Sequence, residues 1–148
     1  MQITRFLPDP AATETLARRL APHLLAGDVL LLEGPIGAGK THFARALIHA
    51  LGVSEDVPSP TFTLIQTYEA PDFDIWHADL YRLTHPDEAV ELGLHEAFET
   101  ALCLVEWPDR LGHDAPKQAL TLHFSVSEEG RNLTFEGADT WQERLRDV

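Results

Sequence analysis

Two runs along the chain are apolar without interruption. VLLLE (residues 29–33) and ALCLVE (101–106) show none of the alternation of a half-exposed strand, which is the pattern of strands buried on both faces of a sheet. Around them the pattern changes. QITRFL (2–7) alternates and predicts a first strand; Asp9 and Pro10 then supply an N-cap and a first-turn proline for a helix running through TETLARRLAPHLLAG to Gly27. After VLLLE a glycine-bearing loop leads into a helix from about Lys40 to Leu51, stopped by Gly52. TFTLIQTYEA (61–70) and FDIWHADLYRL (73–83) read as two strands joined in a hairpin at Pro71-Asp72. Thr84 opens a short helix ending near Gly93, and WPDRLGHDAPK reads as loop with one helical turn. QALTLHFSV and RNLTFEG form an antiparallel pair across Glu128-Glu129-Gly130, and TWQERLRDV closes the chain as a helix. Strands interleaved with helices around two doubly buried runs predict a single α/β domain, a mixed central sheet with helices on both faces.

Composition narrows the class. The 148 residues are about the size of one domain, and 44% hydrophobic with 24% charged residues is ordinary for an ordered globular chain. The N-terminal MQITRFLPDPAATE lacks the apolar core of a secretion signal and no segment approaches the length of a membrane span, so a cytoplasmic, membrane-free protein is expected. The lone Cys103 sits in an apolar run, which excludes an internal disulfide and predicts a buried, reduced thiol. A formal charge of −13 argues against this chain gripping a nucleic-acid backbone by itself, since such binding neutralises phosphates with Lys and Arg.

The loop after VLLLE carries the chemistry. Residues 34–41 read GPIGAGKT, that is Gly34, Pro35, Ile36, Gly37, Ala38, Gly39, Lys40 and Thr41. This is the G-x-x-x-x-G-K-[ST] phosphate loop, here in its required setting between a buried strand and a helix. Its glycines let backbone N–H groups turn inward, and the helix N-terminus adds about half a positive charge toward the phosphates. Lys40 supplies a mobile cation for the β- and γ-phosphates, and the Thr41 hydroxyl supplies a magnesium ligand. The fold expected is therefore P-loop NTPase-like, with nucleotide phosphates and Mg2+ held at the loop.

Magnesium needs an acidic partner, and two acids compete: Glu106, at the end of the better hydrophobic strand, and Asp79, at the end of IWHAD. At strand spacing, His77 and Tyr81 share a face with Asp79 and either orient the magnesium shell or simply pack. The only lysines are Lys40 and Lys117, so the N-K-x-D motif of a GTPase is absent, as is an LSGGQ-like signature. Asp109-Arg-Leu-Gly imitates a switch motif too short to carry weight. A small-metabolite kinase and a non-hydrolysing nucleotide-binding scaffold remain open beside an ATPase.

In order, GPIGAGKT, VPSPTFTLIQTY, HADLYRL and CLVEWPDR resemble the TsaE family, small P-loop ATPases of bacterial tRNA threonylcarbamoyladenosine synthesis. The resemblance spans about Gly27 to Arg110. It implies ATP binding and slow hydrolysis within a complex that adds the threonylcarbamoyl group to the adenosine next to the anticodon, with TsaB and TsaD as partners and tRNA held only through the complex. It places a switch-like segment at Ser59-Pro60-Thr61, with Thr61 near the γ-phosphate. It also places acidic groups at both Asp79 and Glu106, and a tryptophan at Trp107. One departure is visible: His42 stands where the family often has a second threonine, so it keeps the backbone N–H but imitates the hydroxyl only through a ring nitrogen. Arg131, in the closing hairpin, is a candidate to stack on the adenine.

Overall fold

The computed structural model describes residues 1–148. Seven strands form one sheet: β1 (Gln2–Leu7), β2 (Val29–Glu33), β3 (Ile65–Glu69), β4 (Asp74–Asp79), β5 (Leu102–Glu106), β6 (Leu120–Ser127) and β7 (Gly130–Glu136). Their order is β1-β7-β6-β2-β5-β4-β3. β6, β2, β5 and β4 run parallel through the middle. Antiparallel pairings close both edges, β6–β7 and β7–β1 on one side and β4–β3 on the other.

The uninterrupted apolar runs have the expected cause, burial on both faces. Along β2, Leu30 and Leu32 point into the larger core, while Val29 and Leu31 point into a second core behind the sheet. β5 divides the same way, with Leu102 and Leu104 on one face and Cys103 and Val105 on the other. The larger core is covered by α1 (Pro10–Leu20), α2 (Lys40–Ala50) and α5 (Asp139–Arg144) through Leu16, Phe43, Leu47 and Trp141. The smaller core lies under α3 (Asp87–Glu91) and α4 (Leu94–Thr100) through Ala89, Leu94 and Ala97. No helix is long and apolar enough to cross a membrane.

Local signals set several boundaries. Asp9 caps α1 by accepting the Ala12 N–H at 2.8 Å, with Pro10 in the first turn. The α-helix nonetheless stops at Leu20 rather than reaching Gly27 and passes into a short 3-10 turn, Ala21–His23. Pro22 has no N–H to return to the preceding turn, which ends the regular ladder. Glu88 accepts the N–H groups of Thr84 and His85, each at 3.1 Å, and so anchors the start of α3.

The two hairpin strands are shorter than their patterns suggest. Thr61–Leu64 is a turn, not strand: Leu64 donates to the Pro60 carbonyl at 2.7 Å and takes a positive φ of 69°. β4 ends at Asp79 because its carboxylate accepts the Tyr81 N–H at 3.0 Å, an Asx turn that carries the chain out of the sheet. Tyr81 therefore does not share a strand face with Asp79. The helix α4, LHEAFET, was not anticipated from the sequence.

Candidate functional site

β2, β4 and β5 all end at one edge of the sheet, and the loop leaving β2 opens onto it. In an open α/β sheet this carboxyl-end crevice is where ligands bind. Gly34 sits there with φ +145°, and a Cβ on it would lie 2.5 Å from the Phe124 carbonyl oxygen of β6. Gly37 also has a positive φ, +83°, but a Cβ there would meet nothing within 4 Å. The loop thus packs against β6 at its first glycine and stands open at its second. Ala38 between them is buried in the larger core and donates its N–H to the Pro35 carbonyl at 3.1 Å. Pro35 and Ile36 are exposed.

Lys40, first residue of α2, is buried at 5% exposure. Its ammonium donates to the Gly34 carbonyl and lies 3.6 Å from the centre of the Trp107 ring. Burial pushes its pKa below the ordinary lysine value, while the charges of Glu106, Asp79 and Asp109 oppose that shift. Trp107 adopts left-handed backbone angles, φ 57° and ψ 53°, which cost a side-chain-bearing residue about 1–2 kcal/mol. Its ring also packs on Tyr81, with centroids 4.9 Å apart. Backbone strain of this kind clusters at active sites, ligand clamps and switch regions.

Below the lysine lie both acids that competed in the sequence. β4 and β5 pair in parallel with Asp79 opposite Glu106, so the two carboxylates are neighbours at the strand ends. Both are buried, at 5% and 2% exposure. The Thr41 hydroxyl donates to Glu106 Oε1 at 2.9 Å. Thr61, on the turn before β3, donates its hydroxyl to Asp79 Oδ2 at 3.1 Å and lies 2.8 Å from the Ser59 hydroxyl. The turn that shortened β3 is therefore the feature that brings the Ser59-Pro60-Thr61 segment onto Asp79. His77, one step inside β4, meets Glu106 Oε2 at 2.7 Å.

These groups surround a cavity of about 480 Å3. Gly37, Gly39, Lys40, Thr41, Glu106 and Trp107 line it, joined by Ile36, His42 and Thr61. Tyr81, displaced from its expected strand, forms part of the wall instead. Asp79 is not in the wall and reaches it through Thr61.

A second cavity of about 260 Å3 shares Gly37, Gly39 and His42 with the first. Arg131 lines it because β7 lies two strands from β2, and its guanidinium donates to the Gly37 carbonyl at 3.3 Å. Asp9, Pro10 and Thr13 complete this wall from the start of α1. Their sequence signal was that of a helix cap, which conceals any second role. His42 stands between the cavities, with Nε2 3.4 Å from the Pro10 carbonyl.

The model of the threonylcarbamoyl adenosine biosynthesis protein TsaE matches residues 7–133. The chain belongs to the TsaE family. It is 42% identical over 122 residues to the TsaE of Rickettsia felis, covering 82% of this chain and 71% of that protein. To the TsaE of Bacillus subtilis it is 36% identical over 139 residues, covering 93% and 87%. The crystal structure of Bacillus subtilis YdiB superposes with a TM-score of 0.81 at 28% identity, covering 99% of this chain and 93% of that one. TsaE membership ties the chain to tRNA threonylcarbamoyladenosine biosynthesis. The α/β architecture, the mixed sheet and the P-loop NTPase fold expected from the sequence are all present.

Proposed function

We propose that the chain binds ATP with Mg2+ in the larger cavity and hydrolyses it slowly, as the nucleotide-consuming subunit of the complex that threonylcarbamoylates adenosine 37 of tRNAs reading codons that begin with adenine. The observation that carries this reading is the constellation at the strand ends: the Thr41 hydroxyl 2.9 Å from Glu106 Oε1, with Asp79 paired beside Glu106. Magnesium is held by one or two carboxylates plus phosphate oxygens and water, and prefers oxygen donors throughout. One hydroxyl and two carboxylates fit that requirement, with Thr41, Glu106 and Asp79 as the ligands or their anchors. When bound, the ion neutralises charge developing on the phosphates.

The protein's own groups divide the remaining work. The loop's backbone and the α2 N-terminus receive the phosphates, and Lys40 exchanges its Gly34 carbonyl for phosphate oxygens. Thr61, already hydrogen-bonded to Asp79, is the group on the Ser59–Thr61 turn that senses the terminal phosphate. The smaller cavity receives the nucleoside, with Arg131 against the adenine face. Trp107 covers Lys40 and limits water at that end.

The charge of −13 suits docking to a more basic partner that would itself hold the tRNA. TsaD and TsaB are the proposed partners, with the carbamoyl-transfer chemistry in TsaD. A phosphate-release assay with and without these subunits tests the reading. Release that rises with the partners and is abolished by Glu106→Ala is expected. Turnover only with a small acceptor would replace the reading by a metabolite kinase, and binding with no release under any condition would replace it by a scaffold.

A further inference from the structure

We infer that His77 is a positioning residue that fixes the Glu106 carboxylate for the magnesium–phosphate end of the cavity, an inference that rests on the nucleotide reading above. The sheet sets up the contact. On β4, Ile75, His77 and Asp79 alternate onto one face, and on β5, Leu102, Leu104 and Glu106 do the same. Ile75, Leu102 and Leu104 all enter the larger core, so both series point toward α2 and Thr41.

Glu106 is then held at both oxygens. Oε1 receives the Thr41 hydroxyl at 2.9 Å, and Oε2 lies 2.7 Å from His77 Nε2. Because a carboxylate only accepts, the ring carries its hydrogen on Nε2. The other ring nitrogen, Nδ1, is buried with no hydrogen-bond partner in a side chain of 0% exposure. An unmet buried polar atom destabilises the fold, a cost that an apolar residue of similar shape at this position would not carry. Packing alone therefore gives no reason for a histidine here, whereas an N–H aimed at Glu106 does. His77 is fully buried and absent from the cavity wall, and its Nε2 is taken up by Glu106, so it acts on a cation through Glu106 and not as a ligand.

Groups that hold a metal-binding carboxylate in place typically change metal affinity or activity by about 10- to 100-fold when removed. Three full-chain variants separate positioning from packing. His77→Gln keeps an N–H at similar reach, His77→Asn keeps a polar group too short to reach Oε2, and His77→Leu keeps bulk alone. Calorimetric ADP binding is measured in EDTA and across a Mg2+ titration, and Mn2+ paramagnetic resonance reports the metal directly in the presence of ADP.

Metal-free ADP affinity is expected to stay within about twofold for all three, while the Mg2+ midpoint rises by about 10- to 100-fold in His77→Asn and His77→Leu and returns to within about threefold in His77→Gln. If His77→Leu does not fold by circular dichroism, His77→Asn against His77→Gln decides. Wild-type Mg2+ midpoints in His77→Asn and His77→Leu, or a His77→Gln variant as impaired as His77→Asn, overturn the inference while leaving the nucleotide reading intact. Wild-type ADP binding with no response to Mg2+ overturns that reading and the inference with it.

Discussion

Alanine at Gly34 and alanine at Gly37 change the same eight-residue loop and should fail in different ways. At Gly34 two costs add. The backbone angle of +145° is nearly reserved for glycine, at about 1–3 kcal/mol for another residue. The new Cβ would also lie 2.5 Å from the Phe124 carbonyl oxygen and 3.0 Å from Phe124 Cβ, so packed β6 must shift, at about 1–3 kcal/mol. The sum, about 2–6 kcal/mol, is a large part of the roughly 5–15 kcal/mol that holds a domain together. At Gly37 the Cβ enters open space, and only the left-handed backbone penalty of about 1–2 kcal/mol applies. Gly37 lines both cavities, so the methyl is expected to crowd the approach of phosphate to the backbone. Urea unfolding followed by circular dichroism, with ADP titration on the same samples, separates the effects. Gly34→Ala should lose more stability than Gly37→Ala, and Gly37→Ala should keep most of its stability yet bind ADP at least about tenfold more weakly. A Gly34→Ala protein within about 1 kcal/mol of wild type would refute the packing argument, as would equal unfolding midpoints for the two variants.

Two further outcomes follow from the same geometry. Arg131→Ala should weaken ADP by about 2- to 30-fold, the equivalent of about 0.5–2 kcal/mol, and leave inorganic tripolyphosphate binding unchanged; equal losses for both ligands in calorimetry would place Arg131 on the phosphates instead. Cys103 is fully buried and its thiol is pushed up to about 12 by desolvation, so at pH 8 it should ignore a disulfide reagent such as DTNB until guanidinium unfolds the chain. Rapid labelling of the folded protein would contradict that burial.

What was legible in the chain were features with a local physical cause. VLLLE and ALCLVE announced doubly buried strands, Asp9-Pro10 a capped helix start and GPIGAGKT a loop between strand and helix, because each follows from a few adjacent residues. What escaped were consequences of tertiary contact. TFTL reads as strand by its β-branched and aromatic residues, yet Thr61 is drawn to Asp79 and the segment turns. Tyr81 continues an alternating pattern past the point where the Asp79 side chain ends the strand. The contest between Asp79 and Glu106 had no answer within either motif, since only the β4–β5 register makes them neighbours. Asp9, Pro10 and Thr13 reach the second cavity only because α1 lies beside α2, and no short-range pattern carries that information.

Under the proposed function, Lys40 and Thr41 hold the phosphates and magnesium of ATP above Glu106. Calorimetric titration of ATP with Mg2+ into wild type, Lys40→Ala and Thr41→Ala checks that placement. Loss of one charge-assisted contact is worth about 1.5–3 kcal/mol, so each variant should bind about 10- to 150-fold more weakly than wild type. Unchanged affinity in both variants would remove the phosphates and the ion from this loop.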